Sequence, residues 1–376
     1  MKTLLIIIDG IGDDELAELG GRTPFSYARH EHMDRLAAAG CCGEVTVCGE
    51  DIAPESLGCI LRLLGVPRQE FPANRSYLEL LANERDVSEY EMVLRCNLVA
   101  LDGEGKLLAF NGEGLSAHEM RKASLEVSLL QENVEFVHLS TYRNLLILDK
   151  EAEILQKCHI SPPHESVGEN IADLLSDLNS KSLRLKVFME EANKVLVKYS
   201  RGDFHYVFYP WGPAERQQLK SFHERHKLAG GAVCGAEIVK GIARSLKMVC
   251  PELVSSTGDI DTDLAEKAAV TLELLKEKDF VLAHFNGTDE AAHRHDYLGK
   301  ADFITRIDEE YFGRLLAICG QPLKILVCGD HATSSLTGRH TAGKVPFIAS
   351  VWNGTYANQP AIEDYKGIVK FLFEGR

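Results

Sequence analysis

DFVLAHFNGTDEAAH, residues 279–293, opens as an apolar run and closes on two side chains able to bind metal. Phe280, Val281, Leu282 and Ala283 form the run. A strand covered on both faces of a sheet is apolar throughout rather than alternating, so a buried strand is expected here. Asn286-Gly287 reads as the turn that stops it. Asp289 and His293 follow at i and i+4, which sets a carboxylate and an imidazole on one face of a helical turn. Most such pairs are solvated helix faces. A second cluster shifts the balance. ILVCGDH, residues 325–331, is again an apolar run, ending in Asp330 and His331, and His340 lies a few residues beyond. In open α/β sheets ligands sit beyond the carboxyl ends of the strands. Two strands that each end in Asp and His therefore predict a shared oxygen and imidazole site for divalent metal.

The bulk properties bound the partners. At 376 residues the chain can bury a large core and is expected to hold two domains. Its net charge of −15 argues against nucleic acid, because phosphate backbones select basic surfaces. A small anionic metabolite remains open, since it needs only a local cluster of Arg, Lys or metal. MKTLLIIIDG lacks a small-residue cleavage site and is not read as a signal peptide. No apolar stretch approaches the roughly 20 residues of a membrane span, so no membrane partner is expected. The ten cysteines form no C-x-x-C and no paired framework. Reduced thiols in a cytoplasmic protein are the expectation.

From the N-terminus, Leu4–Ile8 repeats the pattern of an apolar run that delivers a carboxylate, here Asp9, although Asp-Gly also begins ordinary turns. Thr23, Pro24 and Gly40 mark the cap, first position and end of a helix, and Thr46 to Ala53 reads as extended. Ser56 opens a helix expected over about Leu57–Leu64. A plain N-cap is the common role for such a Ser. The alternative is a nucleophile beside helix N–H groups that stabilise a phosphoryl group. From 72 to 201 the character changes. EMVLRCNLVAL and KLLAF flank a Gly-containing loop, and VEFVHL and NLLILDK form a second pair, which predicts an inserted antiparallel α+β domain. The core, 1–71 and 202–376, is expected to resume with the strand HYVFYPWG (205–212), a helix over about Pro213–Lys227 and a strand near Ala232–Cys234. Helices are then expected over Val239–Met248, Leu264–Lys276 and Lys300–Ile318, followed by the strand VPFIASV. Asp259, Asp261 and Asp263 lack the Gly and distant Glu of a calcium loop, so they read as helix-dipole partners.

IIIDGIGD, GGRTP, APES, FNGTDEAAH, CGDHATS and GRHTAGKVP occur in that order. Together they resemble the alkaline phosphatase superfamily, and within it the archaeal-type cofactor-independent phosphoglycerate mutases. The likeness spans nearly the whole chain, with LRCN similar to the family's Arg-x-Asn element and KGIA (240–243) also matching. The resemblance implies an α/β, alkaline-phosphatase-like core with a mostly parallel sheet flanked by helices. It also implies two divalent metals, one at Asp9, Ser56, Asp330 and His331, the other at Asp289, His293 and His340. Such mixed donors suit Mn²⁺, Zn²⁺ or Co²⁺ better than Mg²⁺. It further implies that Ser56 carries the phosphoryl group as phosphoserine between the hydroxyls of 3- and 2-phosphoglycerate, a glycolytic reaction. Arg75, Arg95, Arg143 and Lys240 are the candidates to hold the glycerate, each also explicable as a surface charge or ion-pair partner.

The chain departs from the family pattern in the substrate set. Tyr209-Pro210-Trp211-Gly212 stands where the family has Arg-Gly-x-Gly, and Leu57 where it has Asp. Tyr142-Arg143 stands for His-Arg, and Pro162-Pro163-His164 for Asp-Pro-His. Three functions are therefore weighed: the mutase; a metal-dependent hydrolase of a phosphomonoester, phosphodiester or phosphonate on the same fold; and a non-catalytic binder of phosphorylated metabolites. The intact Ser56 speaks against the last.

Overall fold

The computed structural model describes residues 1–49, 51–130, 134–149, 158, 160–355 and 361–374. Among them run thirteen strands: β1 (Lys2–Ile8), β2 (Cys41–Val45), β3 (Glu91–Leu101), β4 (Leu107–Ala109), β5 (Val134–Ser140), β6 (Arg143–Asp149), β7 (His205–Glu215), β8 (Gly230–Val233), β9 (Phe280–Phe285), β10 (Leu323–Cys328), β11 (Ala332–Ser334), β12 (Arg339–Thr341) and β13 (Val345–Trp352). They divide between two compact units, Met1–Phe71 with Leu219–Arg376, and Pro72–Gln218.

The larger unit is built on a six-stranded sheet in the order β2-β13-β10-β1-β9-β8. β8, β9, β1 and β10 run parallel, while β13 and β2 are antiparallel additions. Leu4 to Ile8 and Phe280 to Phe285 are fully buried, the signature of strands covered on both faces. Helices Glu237–Ser245 and Leu264–Glu277 pack on β8 and β9, while Glu31–Ala38 packs on β13 and Tyr365–Phe373 on β10. β1 lies between β9 and β10 with Ile8 opposite Phe285 and Ile7 opposite Cys328. The three carboxyl ends are thus level, and residues just past them share one rim of the sheet.

Several local expectations change. The extended segment is Cys41–Val45, held by β13, rather than 46–53. The helix expected over 24–40 breaks into Pro24–Tyr27 and Glu31–Ala38. Thr23 caps the first, but the Asp308 carboxylate accepts from His32 and Met33 N–H at the start of the second, a partner invisible to local sequence. Asn286-Gly287 is the start of helix Gly287–His293 rather than a turn. The helix expected over 300–318 begins earlier, at Tyr297, where Asp296 caps it, and relaxes to a π-helix over Ile307–Phe312. Asp263 caps Leu264–Glu277 by accepting from Glu266 N–H at 2.8 Å.

In the smaller unit β3 pairs antiparallel with β4, β6 and β7, and β6 pairs with β5. Helices Ala117–Ser128 and Leu183–Leu196 close its own apolar core. The strand expected to rejoin the core at 205–212 is therefore part of this sheet. β7 lies along β3 from Leu101↔His205 to Met92↔Glu215, and the helix expected from Pro213 shrinks to Phe222–His226. An aromatic-rich strand fits either sheet, so composition alone could not assign it. Lys150, the last residue of the expected NLLILDK strand, lies outside the described residues.

Candidate metal centre

Asp9 follows β1 and is 1% exposed. The next residue is Gly10 at φ +62°, where a Cβ would come within 2.7 Å of Asp289 Oδ1, so both the backbone angle and the space demand glycine. Asp330 and His331 follow β10, and each is fully buried. Asp330 Oδ1 accepts from the N–H groups of Gly10 and His331 at 3.3 and 3.0 Å. Its Oδ2 and Asp9 Oδ1 are buried without any hydrogen bond. Ser56 is the first residue of helix Ser56–Leu63, and Glu55, not Ser56, holds the cap position. The serine hydroxyl therefore makes no cap. It donates to Asp9 Oδ2 at 3.4 Å and lies 3.3 Å from His331 Nε2. His331 Nε2 is in turn 3.4 Å from Asp9 Oδ1 and 3.6 Å from Asp330 Oδ2.

Asp289 anchors the second half. His293 Nε2 approaches its Oδ2 at 3.1 Å, and His340 Nε2 its Oδ1 at 3.3 Å. His340 comes from β12, in a hairpin with β11. His293 Nδ1 is 2.8 Å from the Gly338 carbonyl, which can only accept, so that nitrogen carries the proton. The Nε2 atoms of His293 and His340 then face each other at 3.0 Å around one carboxylate. His331 bridges the halves, its ring centroid 4.1 Å from that of His340. The structure thus brings together all seven residues read from the sequence as metal-binding.

It adds one the sequence reading missed. His284, in β9, is fully buried, with Nε2 3.2 Å from Asp9 Oδ2, and neither ring nitrogen makes a hydrogen bond. The only local signal was an imidazole inside an otherwise apolar strand.

The electrostatics describe a site short of positive charge. Burial, then the neighbouring Asp330 and Asp289, push the Asp9 carboxyl well above the usual carboxylate range. Burial holds His331 below the ordinary imidazole range and His284 down to about 4. Burial would also raise Asp289, but hydrogen bonding to His293 and His340 outweighs it and depresses that carboxyl. The same bond lifts His293 to about 9. Orphaned carboxylate oxygens, facing imidazole nitrogens and suppressed ionisation fit bound divalent cations, which answer all three.

Residues 1–359 match the Metalloenzyme superfamily. The chain is 31% identical to the 2,3-bisphosphoglycerate-independent phosphoglycerate mutase of Methanopyrus kandleri, over 98% of this chain and 91% of that protein. This chain belongs to that family of metalloenzymes. The enzyme of the same name from Thermococcus kodakarensis is 30% identical over 92% of this chain and 87% of its own. A solved structure of a Pyrococcus horikoshii protein shares the fold with a TM-score of 0.75 at 23% identity, covering 95% of this chain and 89% of that one. Among the described residues no helix is long and apolar enough to cross a membrane.

The glycerate candidates Arg75, Arg95 and Arg143 lie in the smaller unit. Arg95, in β3, pairs with the buried Glu79 at 3.0 Å, and its guanidinium stacks 4.3 Å from the Trp211 ring. Burial lowers its pKa, Glu79 opposes that, and the nearby charges of Arg75 and Arg143 add to the lowering. Arg75 Nε is buried without a hydrogen bond, and Arg143 donates to Ser140 Oγ at 2.9 Å. Trp211 Nε1 donates to Asn97 Oδ1 at 3.0 Å. Tyr209 is fully buried and donates to the Ser161 carbonyl, so it is core, whereas Trp211 lines a cavity of about 590 Å³ with Asn74, Tyr77 and Pro162. In the larger unit Lys240 shares Glu252 with Arg244, both at 2.6 Å.

Proposed function

We propose that the protein interconverts 3-phosphoglycerate and 2-phosphoglycerate through a phosphoserine at Ser56. The observation that carries this reading is the Ser56 hydroxyl, released from capping its helix and set 3.3–3.4 Å from Asp9 and His331. Membership of the mutase family supports the same reading. Asp9, Asp330, His331 and Ser56 would hold one divalent ion, and Asp289, His293 and His340 a second. Mixed carboxylate, imidazole and hydroxyl donors suit Mn²⁺, Zn²⁺ or Co²⁺. Bound there, such ions lower the pKa of the serine hydroxyl and neutralise charge on a transferring phosphoryl group.

Ser56 Oγ forms a bond to phosphorus as the bond to one glycerate oxygen breaks, and the serine proton is made good on the departing hydroxyl. The adjacent glycerate hydroxyl then reverses the step. Between the two, the glycerate must be retained and water excluded. The cluster of Arg75, Arg95 and Arg143, holding more positive than negative charge, supplies a site for its carboxylate. The inserted domain is thus the substrate-binding domain, and the protein works on a small phosphorylated metabolite in the cytoplasm.

The Glu79 and Trp211 contacts of Arg95 favour one second reading, hydrolysis of a less polar phosphate ester. One assay separates the two: 3-phosphoglycerate with Mn²⁺, following 2-phosphoglycerate and free phosphate together. Isomerisation without phosphate release is the expected result. Negligible isomerisation, with metal-dependent phosphate release from other esters, would replace the mutase by the hydrolase.

A further inference from the structure

We propose that His284 is a direct ligand of the divalent ion held by Asp9, Ser56, Asp330 and His331, giving that ion five protein donors. This rests on the metal reading above and extends it by a residue that the family motifs do not mark.

The position is the first argument. His284 pairs with Ile7 of β1, one residue before β9 ends, and every other member of β9 is apolar and fully buried. A packing role at such a point is filled by Leu or Phe at no polar cost, whereas burying an unpartnered imidazole costs the desolvation of its nitrogens. Neither nitrogen of His284 has a hydrogen bond to offset that cost.

Spacing is the second. Donors each about 2.1 Å from one five-coordinate ion, at angles of about 90–120°, stand about 3.0–3.6 Å apart. Around Asp9 the donor separations are 3.2 Å to His284, 3.4 Å to Ser56 and 3.4 Å to His331. His284 therefore closes on the carboxylate as the accepted donors do. Ligand atoms of Asp9, His284 and Asp330 all lie within 4.8 Å of one another, and all three residues are buried. Nothing in this spacing separates His284 from the others.

The chemistry is the third. Without His284 the first ion has one imidazole and the second has two, His293 and His340. With it each ion has two, and the first becomes a softer site that discriminates further against Mg²⁺. The alternative use of His284 is to donate to Asp9 and orient it from outside the coordination sphere. Loss of affinity alone does not divide these roles, because outer partners also cost about 10–100-fold. A nitrogen count does.

The test uses the full chain carrying His340→Ala, so that Mn²⁺ occupies the first site alone, with histidine labelled in ¹⁵N. Pulsed EPR should register two directly bound imidazole nitrogens. Adding His284→Gln should reduce them to one and weaken Mn²⁺ binding at least tenfold. A single nitrogen before that second substitution overturns the proposal without need of a folded His284 variant. If unsubstituted protein binds no Mn²⁺ at all, the metal reading itself has failed, a result distinct from a bound ion with one nitrogen.

Discussion

In the larger unit Asp9, Asp289 and Asp330 are buried together among imidazoles and one serine, with two carboxylate oxygens left unbonded. In the smaller unit the half-buried Arg95 has Glu79 at 3.0 Å and Trp211 across its face. The first cluster cannot balance its charge from within the chain, whereas Arg95, taken apart from its neighbours Arg75 and Arg143, is balanced by Glu79. An unbalanced buried cluster is a demand for an outside ion. A balanced one can serve as scaffold, or can bind a ligand that competes with the internal partner. The difference separates the half of the proposed chemistry that depends on electrostatic necessity from the half that depends on exchange.

The largest expected effect tests the unbalanced half. Ser56→Ala removes the proposed nucleophile but no helix cap, since Ser56 makes none. Turnover should fall about 10⁴-fold or more, as it does when a nucleophile is deleted elsewhere. Thermal stability should stay close to that of the parent, and intact mass should show no phosphoenzyme. An active Ser56→Ala protein would break the mechanism.

Next in size is His340→Ala. Metal content of protein purified without chelator should drop from two ions per chain to one, and kcat/KM should fall by more than about 100-fold, beyond the range of an outer-sphere partner. Unchanged metal content by elemental analysis would remove His340 from the ligand set.

The balanced half predicts a smaller change. Arg95→Met keeps an apolar side chain of similar reach and deletes the charge that stands over Trp211. A lost charged hydrogen bond is worth about 1.5–3 kcal/mol, so KM for 3-phosphoglycerate should rise about 10–100-fold while metal content stays at two. If KM is unchanged and only stability falls, Arg95 is Glu79's partner and nothing more.

How much of this was legible follows the same division. β1, β9 and β10 each carry an unbroken apolar run, residues 4–8, 280–283 and 325–328, so the strand ends, and the acids placed there, could be read from residues 4–9, 280–289 and 325–331. The helix pair after Thr23 could not, because its second cap is Asp308, distant in sequence. β7 could not be assigned, because an aromatic strand satisfies either sheet and only the register against β3 decides. His284 was hidden by the pattern that identified its strand. The engagement of Arg95 was hidden too, since Glu79 looks in sequence like any exposed helical acid yet is 3% exposed.

The smallest effect concerns proton balance in metal-free protein, where the larger unit must meet its charge deficit with protons. His293 titrates at about 9 because Asp289 accepts from it, against an ordinary 6.5. A raised pKa stabilises the fold fully below about 6.5, and the contribution is lost as pH climbs toward 9. Asp289, depressed by the same contacts, contributes above its ordinary 3.8 and loses that contribution as pH falls further. The pair is therefore strongest between these limits and fades on the alkaline side. With the His293 side chain 36% exposed, solvent screening keeps the effect to a modest decline in Tm between pH 6.5 and 9, shallower at high salt. Bound metal reverses the sign. The imidazole must shed its proton to coordinate, so Mn²⁺ affinity at this half should rise with pH over the same window, approaching about tenfold per unit for one proton released. Metal-free melting followed across that range, with His293→Ala as the reference, checks the first part, and Mn²⁺ titration at each pH checks the second. A Tm that does not depend on pH in the parent, or that falls equally in His293→Ala, would mean that the Asp289 and His293 contact carries no charge and that the larger unit tolerates its buried carboxylates by some other means.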